Sequence, residues 1–125
     1  MQIAAATALA AVAAVAANLL LRALAVAVFD IPQPEFEELN VRPVIVSTLI
    51  GVIAAGLVYA LIVRFARDPR RVFLIVAGVA LVLSLIAPLT IDDPNADAGA
   101  VGTLIAMHVV AAAISVPVLL RVSPR

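Results

Sequence analysis

Four long apolar stretches alternate with three polar breaks along the chain. The first, Ile3–Phe29, is interrupted only by Thr7, Asn18 and Arg22; the others are Val44–Val63, Val72–Leu89 and Gly99–Leu120. About 20 helical residues cross a hydrocarbon core of about 30 Å, so each stretch is long enough to span, and the first has length to spare for tilt. Strands are excluded because an unpaired strand edge has no hydrogen-bonding partner in lipid. The pattern predicts an all-α, integral membrane four-helix bundle, with spans of about 3–29, 44–63, 72–89 and 99–120 in one domain over 1–125.

The breaks carry helix punctuation. Asp68-Pro69 places a capping acid before a proline whose missing N–H costs nothing at a helix start, and Asp93-Pro94 repeats the device. Asn40 is placed to cap the second helix, with Pro43 in its first turn. Pro32 and Pro34 stiffen the first loop, and Pro117 is expected to kink the fourth span near one end. Gly51 and Ala55 form a small-xxx-small pair on the second helix, and Gly78 opens a face of the third, for packing within the bundle or for a dimer seam.

Composition strengthens the membrane reading. The chain is 66% apolar and 13% charged, with a mean hydropathy of +1.24, whereas soluble domains hold about 45–50% apolar and about 25% charged residues. The expected location is the cell membrane, multi-pass, with the lipid bilayer as first partner. Eight basic residues, all arginine, balance eight acids, so nothing points to nucleic acid. The absence of cysteine removes disulfides, thiolate catalysis and cysteine metal sites.

The distribution of charge predicts orientation. Arg64, Arg67, Arg70, Arg71, Arg121 and Arg125 fall on one side; Asp30, Glu35, Glu37, Glu38, Asp92, Asp93 and Asp97 fall on the other with Arg42. The positive-inside rule then places both termini in the cytoplasm. Cleavage of the first stretch as a signal peptide is not expected, since it lacks a basic flank and its apolar run far exceeds a signal core.

Polar groups within spans are costly and each needs a reason. Arg22 lies seven residues before Phe29, roughly 10 Å below the boundary, and Asn18 is one turn deeper on the same face. His108 is nine residues past Gly99, and Ser84 five residues short of Leu89. Ser47 and Thr48 also sit toward the acidic side, leaving Tyr59, Ser115 and Thr7 toward the arginine side. A polar pocket open to the outside and lined by Asn18, Arg22, Ser84 and His108 is the candidate site. The plainer roles are an Arg22 anchor paired with a loop acid, a packed His108 bonded to Asn18 or Ser84, and Asn18 as glue between helices.

Other chemistry finds no support. Asp93-x-Asn95-x-Asp97 imitates the start of a calcium loop, but its glycine comes one place late and Leu104 occupies the closing glutamate position. A lone histidine without cysteine makes a metal site unconvincing, and no nucleophile elbow, zincin motif, phosphate cradle or intramembrane carboxylate pair is present. No enzyme activity and no cofactor are expected.

The run Leu83-Ser84-Leu85-Ile86-Ala87-Pro88-Leu89, the Met107-His108-Val109-Val110 step and Pro117 resemble a domain-of-unknown-function family of small four-span bacterial integral membrane proteins. The basic turn Arg64–Arg71 and the Ser47-Thr48-Leu49 start of the second span also fit, so the resemblance runs from about Asn18 to Leu120. It implies the four-span fold and suggests Ser84, Pro88 and His108 as family features, but it brings no activity. Small multidrug exporters need a glutamate in the first helix, and fluoride channels a glycine-rich stretch before their arginine; this chain has neither. Two functions therefore stand. The first is a non-catalytic accessory or interaction subunit, in a homo-oligomer or with a partner membrane protein. The alternative is a proton-coupled or small-solute carrier built on His108 and Arg22.

Overall fold

The computed structural model describes residues 2–122, so Arg125, counted above in the charge bias, lies outside the described residues. The chain folds into helices α1 (Ile3–Phe29), α2 (Val41–Phe65), α3 (Pro69–Ser84), α4 (Ile86–Leu89) and α5 (Ala98–Leu120), with a 3-10 turn at Glu37–Leu39. Among the described residues there is no strand. Four segments are long and apolar enough to cross a membrane: α1, α2, the composite Pro69–Leu89 and α5. The end holding the α1–α2 and α4–α5 loops is termed the acidic end, and the opposite one the arginine end.

Helix boundaries follow the capping chemistry only in part. Asp68 caps α3 through its carboxylate, which accepts from the Arg71 backbone N–H at 3.4 Å, with Pro69 in the first turn. The same device at Asp93-Pro94 does not start a helix. Asp93 instead accepts from Asn95 N at 2.8 Å in a local turn, and α5 begins at Ala98 under Asp97, whose Oδ1 accepts from Ala100 N at 2.9 Å. Both acids are thus spent on turn and cap. Asn40 holds the cap position of α2, but its side chain reaches back to donate to Pro34 O.

Pro117 lies inside α5, which runs on to Leu120. The third span, by contrast, breaks between Ser84 and Ile86. Pro88 has no N–H to offer the Ser84 carbonyl, and its ring collides with that same carbonyl in a regular helix. The break is the direct result.

Packing centres on α1. Its buried residues Ala6, Ala10, Ala14 and Asn18 recur every fourth position, with Ala25 about two turns further along. Methyl side chains on a single face let α5 and α2 approach closely, as small residues do in membrane bundles. The closest approach to α2 is at Gly56, where an added Cβ would sit 2.8 Å from Thr7 Cγ2. Gly51 and Gly78 meet no atom within 4 Å. The intimate small-residue contact on α2 is therefore at Gly56 and not at Gly51. At the acidic end the α1–α2 loop folds inward, burying Ile31, Phe36 and Leu39 against Ala25, Val44, Ala100, Leu104 and Met107.

These contacts predict unequal glycines. Gly56→Ala should lower stability by about 1–3 kcal/mol through overpacking against Thr7, measured by unfolding in mild detergent, whereas Gly51→Ala should leave it unchanged.

A candidate site between α2, α3 and α5

The helix α3 is held at its two ends. Of its residues only Phe73 is buried, and in α4 only Pro88. At the arginine end the short Ala66–Asp68 connection ties α3 to α2, and Phe73 packs on Tyr59 with ring centroids 4.8 Å apart and planes tilted by 54°. Tyr59 Oη donates to Val122 O at 3.3 Å, which fastens this aromatic pair to the chain beyond α5. Between the two attachments the space among α2, α3 and α5 is not filled. It forms a cavity of about 850 Å³, within the size range of small-molecule sites.

The walls show where the cavity opens. Ile50, Gly51 and Ala54 of α2 and Val76 and Ala80 of α3 line it while remaining exposed, so it gapes sideways between these two helices. Toward the acidic end its lining reaches exposed Glu38. Toward the arginine end the lining runs as far as Phe73 and Val116, where the buried Tyr59–Phe73 pair fills the bundle.

Three of the four residues singled out in the sequence line this cavity: Asn18, Ser84 and His108. Asn18 projects from α1 with 2% of its surface exposed. Its Nδ2 donates to Thr48 Oγ1 at 3.1 Å and to Met107 O at 3.4 Å, bridging α1 to α2 and α5. Thr48 Oγ1 has already given its proton to Val44 O, so both partners are acceptors and the amide cannot be flipped. Oδ1 is left buried without a partner, a cost of about 1–3 kcal/mol when no donor is supplied.

His108 is not bonded to Asn18 or Ser84. Its Nδ1 lies 2.6 Å from Leu104 O one turn back, and a carbonyl can only accept, so Nδ1 carries the hydrogen. The neutral ring therefore presents a lone pair on Nε2, which has no partner among the described residues. Ser84 Oγ donates to Leu81 O at 2.7 Å, next to the break that Pro88 imposes. Ser115, lower on α5, lines the same cavity and donates to Ala111 O at 2.7 Å.

Arg22 does not line the cavity. Its Nε donates to Leu39 O and its Nη2 to Gln33 Oε1 at 3.4 Å, so the guanidinium fastens the inward-folded α1–α2 loop. Both partners are neutral, where the sequence had suggested a loop acid. The reason is geometric: burying Phe36 and Leu39 brings the Leu39 carbonyl down to the last turns of α1. Composition did not signal this, although two bulky apolar residues within an acidic loop are the trace of it. The Tyr59–Phe73 floor and the share of Ser115 were equally invisible, since they depend on which faces of different helices meet.

Among the described residues no group of three His, Asp or Glu side chains is arranged to hold a metal ion. What the cavity offers is an apolar enclosure with a few fixed hydrogen-bonding atoms, a combination suited to holding a small molecule.

Four helices long and apolar enough to cross a membrane, packed around a largely apolar cavity open between α2 and α3, mark a small multi-pass helical membrane protein. The chain belongs to the Family of unknown function (DUF6069), which matches it over residues 1–125. No curated protein and no solved structure matches it.

Two substitutions test the polar anchors. Asn18→Ala should cost only about 0.6–1.7 kcal/mol, the range of interhelical bonds in membranes, because Thr48 and Met107 keep their own helical partners; reversible unfolding in detergent measures it. Arg22→Ala should raise hydrogen exchange over residues 31–40 while leaving the α3 amides unchanged, as the loop loses its fastening and the cavity does not.

Proposed function

We propose that this protein binds a small solute in the cavity between α2, α3 and α5 and carries it across the cell membrane, with His108 as the group that takes up and releases a proton. The observation that carries this reading is the cavity itself, a volume of about 850 Å³ lined by His108, whose Nε2 is uncommitted among the described residues, and by Asn18 and Ser84. An accessory subunit is the natural reading of a sequence with no visible site; a lined cavity favours the carrier over it. A catalytic role has no motivation in these groups.

In the proposed orientation the termini are cytoplasmic and the acidic end faces outward, following the arginine bias. The cavity is then accessible from outside and blocked inward by Tyr59 and Phe73. Carrying a solute across requires that block to yield, and α3 is the element suited to move. Of α3 only Phe73 is buried, and of the α4 turn that follows only Pro88. His108 lies beside this wall, and its Nε2 lone pair is the atom that would take up the proton. Protonation would place a cation opposite a helix that has no counter-charge along its cavity face, a local charge change of the kind that biases two-state elements.

Purified protein in liposomes with an imposed pH gradient tests the proposal. Wild type should dissipate the gradient faster than empty liposomes, and His108→Ala should bring the rate back to that baseline. Absence of flux from folded wild-type protein would refute proton coupling, and a flux untouched by His108→Ala would refute the role of the imidazole.

A further inference from the structure

The polar atoms inside the cavity have a common character. Thr48, Ser84 and Ser115 have each given their hydroxyl proton to a carbonyl of their own helix. Asn18 has spent its N–H groups on Thr48 and Met107, and His108 its Nδ1–H on Leu104. What these lining side chains have left to offer is a set of lone pairs, on His108 Nε2 and on the Ser84 and Ser115 oxygens; the unpaired Asn18 Oδ1 is itself buried out of reach of the cavity. Ser47, exposed near the mouth, is the lining hydroxyl whose proton is uncommitted among the described residues.

Charge points the same way. Glu38 stands at the mouth, and the loops of that end hold Asp30, Glu35, Glu37, Asp92, Asp93 and Asp97 against Arg42. Arg22, the cation within a span, is turned to the loop and away from the cavity. A field of this sign concentrates cations at the opening. The rest of the wall is Val, Ile, Leu, Ala, Met, Phe, Pro and Gly, and the sideways gap between α2 and α3 faces what would be the hydrocarbon of the bilayer.

We infer that the cavity takes an amphiphilic organic ammonium with N–H donors, its apolar body between α2 and α3 and its N–H groups on His108 Nε2 and Ser84 Oγ. This rests on reading the cavity as a solute site and names the ligand class. An anion finds the Ser47 hydroxyl as the one uncommitted side-chain donor among the described lining residues, at a mouth whose acidic field repels it. A lipid acyl chain fills the volume but leaves every acceptor unbonded, and a quaternary ammonium satisfies the charge while leaving the lone pairs bare. Buried acceptors without donors are penalised, so the difference between an N–H cation and its N-methylated counterpart is the signature of the site.

Equilibrium dialysis of the whole protein in lipid nanodiscs, referenced to empty nanodiscs, provides the test. The probes are 1-naphthylmethylammonium, its N,N,N-trimethyl analogue, 1-naphthylmethanol and 1-naphthoate. The primary ammonium should bind at least about tenfold more tightly than each of the others, the ratio expected of about one charge-assisted hydrogen bond. Ser84→Ala should narrow its advantage over the trimethyl analogue several-fold. Gly51→Leu should abolish binding without unfolding the bundle, because a side chain there projects into open space at the cavity wall. Equal binding of ammonium and trimethyl analogue, tighter binding of the alcohol or the carboxylate, or binding untouched by Gly51→Leu would overturn the inference. So would no ammonium binding to folded protein; a proton flux that still depends on His108 would then show that the cavity reading survives and only the ligand class is wrong.

Discussion

The spacing of alanine on α1 governs the rest of the bundle. Ala6, Ala10 and Ala14 are fully buried at four-residue intervals, and Asn18 continues the row. A face of methyl groups allows short interhelical distances, and with Gly56 yielding space for Thr7 it brings α2 and α5 onto α1 as a tight trio. Once those three helices are set, the fourth has no comparable face to join. α3 offers one large anchor, Phe73, and beyond it a surface of valine, leucine and alanine that stays exposed. The cavity is what a tight trio and a loosely held fourth helix leave between them.

A second constraint acts on every polar group inside that arrangement. Lipid supplies no water to satisfy hydroxyls and amides, so each must find a partner in the protein. Serine and threonine solve this locally by donating to the preceding turn, which removes their protons from further use. His108 does the same through Nδ1. The outcome is a lining richer in acceptors than in donors, set by the hydrogen bonds each helix makes within itself. Asn18, with two donors and two lone pairs to place, instead reaches across to α2 and α5, and its Oδ1 is left buried without a partner.

The spans were legible because length and apolarity act residue by residue. The helix ends of Ile3–Phe29 and Gly99–Leu120 needed little or no revision, and those of α2 moved by three residues or fewer. Asn18, Ser84 and His108 stood out because a polar residue in an apolar run is conspicuous on its own. Arg22 was just as conspicuous, yet its role was decided by Phe36 and Leu39, whose burial depends on how a loop folds over three helices. Prolines illustrate the same divide. Pro88 and Pro117 both lie in the last turn of their spans, yet the helix breaks before Pro88 and runs on through Pro117. Pairings such as Tyr59 with Phe73 depend on the relative rotation of helices, on which the low amphipathicity of uniformly apolar spans is silent.

The fastening of Arg22 bears on the order of assembly. Chains fold from the N-terminus as they emerge, and α1 is complete before Gln33 and Leu39 exist to receive the guanidinium. At that moment the helix holds an unpartnered charge within a span, which must reach for the interface. Each later event removes part of that burden: the loop arrives, α2 inserts, and the Leu39 carbonyl comes within reach. The arginine thus makes a lone α1 an uncomfortable resident of the bilayer and a paired one a comfortable resident. Its hydrogen-bond partners are in place only once the first hairpin has closed.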